Sequence, residues 1–504
     1  MRLIADEIKL KDDVQAKQVV EMLESTYPSD NVQVYYRYPI FRGDLPEELI
    51  QAELLLTSPD SWRIIINKNS GLYLLNNLNM TAIVGILNRR GLAFAADSAA
   101  THKSAAGYKI SNNANKIFSL SKYHPVGVAL YNNLDFIGVP WDSIIKQFRN
   151  SQKEKKYDSL QGYIKPFFTF IKSYCLNNFS QQQLEFAGII INSYCKEVND
   201  LVVKEVGPLT DANAEAFFNK TLSIMDEFYN KFIGDKAEDF ENYKQADFEK
   251  YTKGIVDNVL LPISSHPKYP AEFRKKFCDS LFALVCHKSH IYLDSIYSGL
   301  VFFGYGDKDL FPSLLEYKVT YALGGRVKYT LQQKCEIGPN AYNSLVIPFA
   351  QTDVANTVVR AVEDRLRQKF YENFTLTLSG FKDEIVNKLT DAKAPEKFIE
   401  IFKNLDINKY STDYQKGMDD FILQSYVNPL LETVTFLDKE DLADMAESLV
   451  RMTCLKRHVT TDEETVGGPV DVAIVTKGDG FIWKKRKHYF DAELNSQFFE
   501  RYNK

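Results

Sequence analysis

Thr81-Ala-Ile-Val-Gly-Ile-Leu-Asn-Arg-Arg-Gly-Leu-Ala-Phe-Ala-Ala-Asp-Ser-Ala-Ala-Thr101 is the stretch on which the fold turns. Two apolar runs, Thr81–Leu87 and Leu92–Ala96, flank the turn Asn88-Arg-Arg-Gly91. Short apolar runs joined by a glycine-containing turn predict a β-hairpin. Ile117–Leu120 and Val126–Tyr131 predict a second one.

Downstream the pattern becomes helical at Asp142–Phe148, Leu160–Tyr174, Ala214–Phe232, Glu238–Leu261 and Pro270–His287. Strands return at Gly299–Phe303, Tyr317–Leu323 and Arg326–Leu331, punctuated by glycine pairs. Val354, Val358, Val362, Leu366 and Phe370 recur every four residues. That spacing predicts one helix over 354–370, with Asp353 as its N-cap. Residues 371–438 read as amphipathic helices, and Leu442, Met445, Ala446 and Leu449 mark another. Val470–Val475 and Gly480–Trp483 predict a closing hairpin. Strand pairs, helices, strands, helices and strands in that order predict an α+β fold with a layered αββα plan. The tract 180–290 reads as a helical insertion packing its own core.

Upstream, Val14–Leu23 has helical spacing, while Asn31–Ile40, Leu54–Leu56 and Trp62–Ile66 look like strands. Nothing there suggests chemistry. The expected division is an N-terminal extension, 1–79, and a domain, 80–504, with helical insertions at about 180–290 and 371–438.

The chain has 504 residues, 45% of them hydrophobic, enough to bury a large core without disulfides or metal. With 61 Lys+Arg against 66 Asp+Glu, it is not a globally basic nucleic-acid binder. No apolar run approaches the roughly 20 residues of a membrane span, and the N-terminus lacks the apolar region of a signal peptide. Cys175, Cys195, Cys278, Cys286, Cys335 and Cys454 include no CxxC pair, which suits reduced thiols in the cytoplasm.

The segment 81–101 resembles the start of mature proteasome β subunits and, more closely, HslV-like peptidases. Both belong to the N-terminal-nucleophile hydrolases, whose fold is a four-layer αββα sandwich. Thr81 stands where that family carries its catalytic threonine, and Asp97 follows 16 residues later, the family's step. Thr101 ends an Asp-Ser-x-Ala-Thr motif, where the family has a substrate-contacting threonine. Lys116 resembles the active-site lysine, arriving about three residues late.

The resemblance implies a threonine-type peptidase or amide hydrolase. A threonine hydroxyl needs a base. As a chain terminus, Thr81 would supply its own α-amine, with a pKa of about 8. Lys116 would be the electrostatic partner and Asp97 the group that orients it. Peptide or protein substrates follow, as does a ring-forming homo-oligomer. Any ATP-driven unfolding motor would be a separate chain, because no Walker A motif is present. No nucleic acid, membrane, metal or cofactor is expected.

Several positions depart from the family. Its Gly-Gly turn, source of an oxyanion-binding N–H, aligns with Tyr131-Asn132-Asn133, so Tyr131 would border the substrate. Asp135 matches an aspartate just beyond. Gly338-Pro-Asn340 stands for a Ser-Gly-Ser element, and Glu463-Glu-Thr-Val466 for Asp-x-x-Ser. Glu463 retains the acid, while Val466 loses a hydroxyl. Met80 precedes Thr81, where self-cleaving precursors have glycine. A non-catalytic scaffold of the same fold and a small-molecule amidase therefore stand as alternatives. Cys286-His287 with His290 is a weak metal candidate, and Lys484-Lys-Arg-Lys487 a short basic run open to an anionic partner.

Overall fold

The computed structural model describes residues 8–10, 35–37, 50–58, 61–64, 81–104, 107–176, 179–288, 297–460, 466–488, 490–491, 493–497 and 500. The chain divides into two compact units, residues 1–78 with 101–110, and residues 79–100 with 111–504. In the smaller unit, Ile50–Ser58 pairs antiparallel with Ile8–Leu10, Tyr35–Arg37 and Ser61–Ile64. The expected helix at Val14–Leu23 lies outside the described residues.

The larger unit is mixed α+β, and its main sheets are antiparallel. Its principal strands are β1 (Ala82–Asn88), β2 (Gly91–Ala96), β3 (Ile117–Ser119), β4 (Val126–Asn132) and β5 (Ser298–Gly304). There follow β6 (Ser313–Leu323), β7 (Arg326–Glu336), β8 (Ser344–Ala350), β9 (Asp471–Thr476) and β10 (Gly480–Lys485). They form two five-stranded sheets, ordered β8-β1-β2-β9-β10 and β7-β6-β5-β4-β3.

Alternation along β1 explains why its run is apolar on both faces. Ile83 and Leu87 join a core with Phe94, Val301, Phe303 and Leu314, drawn from both sheets. The Phe94 and Phe303 rings stack with centroids 4.0 Å apart. Ala82, Val84 and Ile86 point the other way, as period-2 alternation requires. They pack on Leu442, Ala446 and Leu449 of helix Lys439–Val459. Behind the second sheet, Val128, Leu300 and Phe302 meet Trp141, Ile144 and Phe148 of helix Trp141–Gln152, and Phe167 of helix Ile164–Ile171.

Helices Ser180–Val206, Ala214–Phe232, Gln245–Ser264 and Phe273–Cys286 share a separate apolar core, to which Tyr321 and Leu323 of β6 contribute. Among the described residues, no helix is long and apolar enough to cross a membrane.

Two local expectations change. The helix expected over 354–370 is interrupted: Asp353–Arg360 ends at Ala361, whose φ is 56°, and a new helix runs Asp364–Asp391. The four-residue spacing continues across the break by coincidence. Asp353 is the first helical residue instead of the cap, which is Thr352.

Candidate active site

The 16-residue step from Thr81 to Asp97 is the path out and back along one hairpin. β1 and β2 pair through Ile83↔Ala96 to Asn88↔Gly91, so the residues just outside this ladder meet. Asp97 N donates to Ala82 O at 3.1 Å, and Ala82 N donates to Asp97 Oδ1 at 2.9 Å. Lys116 precedes β3, fixed by Leu130 N donating to its carbonyl at 2.7 Å. Its ammonium donates to the same Asp97 Oδ1 at 2.7 Å, with side-chain exposures of 1% and 0%. Asp97 Oδ2 accepts from Ala99 N at 3.1 Å and Gly467 N at 3.2 Å. Four donors thus compensate a carboxylate that would otherwise be very unfavourable in the interior.

Burial pulls the Lys116 pKa below the ordinary lysine range; Asp97 opposes that shift and the Lys487 ammonium adds to it. Lys487 is itself in a buried ion pair with Asp471, the β9 residue opposite Ala96. Burial pushes the nearby Cys454 thiol up to about 12, leaving it protonated.

Thr81 is 2% exposed. Its carbonyl accepts from Gln351 N at 3.0 Å. Among the described residues its hydroxyl has no hydrogen bond to Lys116; the two are linked through Ala82 N and the shared Asp97 oxygen. In this chain the Thr81 nitrogen is acylated by Met80.

The remaining expected residues are placed differently. Tyr131 is inside the β4–β5 ladder, which continues to Asn132↔Ser298, so no turn begins there. Its ring lies over Gly299 in the core between the sheets, and its hydroxyl donates to buried Glu316. No substrate-facing role is visible for that side chain. The backbone turns at Asn132, whose φ of 66° falls in the left-handed region that asparagine tolerates. Asp135 is exposed on a small hairpin, paired with Pro140. Thr101 lies in strand Ala100–Ser104, and its side chain is outside those described. Glu463 lies outside the described residues; Val466 is buried behind the first sheet.

Gly338-Pro-Asn340 does not flank Thr81. It precedes β8, which pairs with β1 from Ser344↔Asn88 to Ala350↔Ala82, so it belongs at the opposite end. The segment beside Thr81 is instead Ala350-Gln351-Thr352. Gln351 Oε1 accepts from Arg457 Nε at 2.8 Å. Arg457 and Lys456 both pair with Asp353, at 3.1 and 2.8 Å. Sequence reading missed this group because it missed β8. The signal was Leu345-Val-Ile347, but Pro348 weakens a strand reading, and β8 is indeed an edge strand, where proline is tolerated.

The basic run is neutralised within the chain. Lys484 reaches Asp444 at 2.6 Å, Lys485 reaches Glu447 at 2.6 Å, and Arg486 stacks over Trp483. Among the described residues, no group of three His, Cys, Asp or Glu is arranged to hold a metal ion, and His290 is not among those residues. No protein-family model matches the sequence, and neither does any curated protein.

Proposed function

We propose that the chain is a proteasome-like N-terminal-nucleophile hydrolase, its two sheets and flanking helices being the αββα sandwich, and that Thr81 is its nucleophile. The observation that carries this reading is the buried Lys116–Asp97 pair at 2.7 Å, bonded through Asp97 to the peptide N–H next to Thr81. A buried ammonium beside a strand-opening threonine lowers the energy of a developing alkoxide. Once the Met80–Thr81 bond is cleaved, the free α-amine takes the hydroxyl proton. Thr81 Oγ then attacks the carbonyl of a peptide or protein amide, the amine leaves, and water hydrolyses the ester.

The test is intact mass before and after incubation with a peptide epoxyketone, which needs both the Thr81 hydroxyl and its amine. Expected are loss of residues 1–80 and one adduct, the adduct being absent in Thr81→Ala. A Thr81-terminal protein that takes no adduct overturns the reading.

The scaffold alternative has one observation in its favour: Thr81 is 2% exposed with its nitrogen blocked. Light scattering separates assembly from catalysis, since a ring without labelling supports a scaffold.

A further inference from the structure

Thr81 is held from two sides. Asp97 and Lys116 fix one. On the other, the Thr81 carbonyl accepts from Gln351 N, whose side-chain oxygen accepts from Arg457. Arg457 is mostly buried, with its side chain 18% exposed, and is also ion-paired to Asp353. Ala350, the last residue of β8 and the one before Gln351, has φ at 62°. A non-glycine residue in the left-handed region is strained and persists only where its surroundings enforce it. The strain occurs at the residue before the amide that meets Thr81.

The geometry points to Arg457 as a positioning residue for Thr81, acting through Gln351 and the strained turn at Ala350. This inference rests on the hydrolase reading above. The Arg457 guanidinium makes two contacts, a hydrogen bond from Nε to the Gln351 side-chain oxygen and an ion pair with Asp353 at 3.1 Å. Together they tie the end of helix Lys439–Val459 to the strand beside the nucleophile. Arg457 touches no reacting atom. Its effect is on where the Thr81 backbone sits, and an error of about 1 Å there costs about a hundredfold in rate.

The test is acylation of Thr81 by a peptidyl β-lactone in protein whose intact mass shows the Thr81 terminus, the state in which the α-amine can take the hydroxyl proton. Intact mass gives the maximal rate and half-saturating concentration separately. Arg457→Met is expected to lower the maximal rate about tenfold to a hundredfold with half-saturation unchanged. Arg457→Lys, lacking the guanidinium, is expected to recover only part. Hydrogen exchange should quicken at Ala82 and Gln351 in Arg457→Met. If that variant does not fold, Gln351→Met serves, since it keeps the backbone N–H and removes the acceptor. A labelled parent whose variants react at the parent's rate overturns the inference and leaves the hydrolase reading intact. A parent that is not labelled overturns both.

Discussion

Lys116 and Lys328 are both 1% exposed, yet their surroundings differ in kind. Lys116 has a carboxylate at 2.7 Å and stands at the open end of the β1–β2 hairpin. Lys328, on β7, has no carboxylate partner among the described residues. It donates to the carbonyls of Val285, at 2.7 Å, and His287, at the end of helix Phe273–Cys286. Phe240 and Tyr321 rings lie about it. Burial brings its pKa down to about 7. A neutral amine carries two N–H groups, enough for those two carbonyls. One buried lysine thus has a carboxylate partner, and the other is a helix-end donor whose two hydrogen bonds do not require a charge.

The largest expected effects separate them. Lys116→Met leaves Asp97 buried with three N–H donors and no counter-ion, which costs about 3–5 kcal/mol. It should also abolish labelling of Thr81. Asp97→Asn/Lys116→Met should regain part of the stability and none of the labelling. Lys328→Met removes one hydrogen bond from each of the Val285 and His287 carbonyls, costing about 1–3 kcal/mol, partly offset by removing a desolvated amine. Labelling should be unchanged. Urea unfolding with parallel mass labelling checks both. Equal losses of stability in the two single variants would break the distinction.

A smaller effect lies in pH. The folded Lys328 pKa, about 7, is below its unfolded value of 10.5. Between those values the unfolded chain binds more protons, so stability rises with pH. The penalty is complete below about pH 7 and is relieved towards 10.5. Lys116 shifts in the same direction, opposed by Asp97. The urea midpoint should therefore climb from pH 7 to pH 9, and Lys328→Met should flatten that climb. An undiminished climb in the variant would assign it to other groups.

Only one of these lysines was legible in the sequence. Lys116 was marked by its place after the Thr81–Asp97 hairpin, whose register follows from turn length alone. Lys328 was hidden, since the carbonyls it meets at a helix end lie 43 and 41 residues earlier in the chain. The same limit explains Gln351 and Arg457, separated by 106 residues and joined by one hydrogen bond. Strands β1, β2, β4, β5 and β9 announced themselves as apolar runs, whereas β8 was masked by Pro348. The turn expected to begin at Tyr131 comes later because the β4–β5 ladder continues through it, which spacing from Lys116 does not reveal. Local periodicity specifies elements, but which polar groups meet is decided by tertiary packing.

The smallest expected effect concerns a cation that acts on Lys116 and has no counterpart at Lys328. Lys487 pairs with buried Asp471, and its charge adds to the lowering of the Lys116 pKa. Lys487→Met removes a like charge and leaves Asp471 with the Lys487 backbone N–H as a remaining donor, at 2.9 Å. Both changes favour protonated Lys116, so its pKa rises. If Thr81 reactivity requires that ammonium, the alkaline limb of β-lactone labelling should move to higher pH. Lys487→Arg keeps the charge and should leave the limb where the parent has it. Stability should fall in Lys487→Met because Asp471 loses its counter-ion, but the Lys328-dependent climb between pH 7 and pH 9 should persist. The informative comparison is the limb position across parent, methionine and arginine variants. A limb that moves equally in both variants would trace to packing around Asp471, and one that moves in neither would show that the reactivity does not titrate with Lys116.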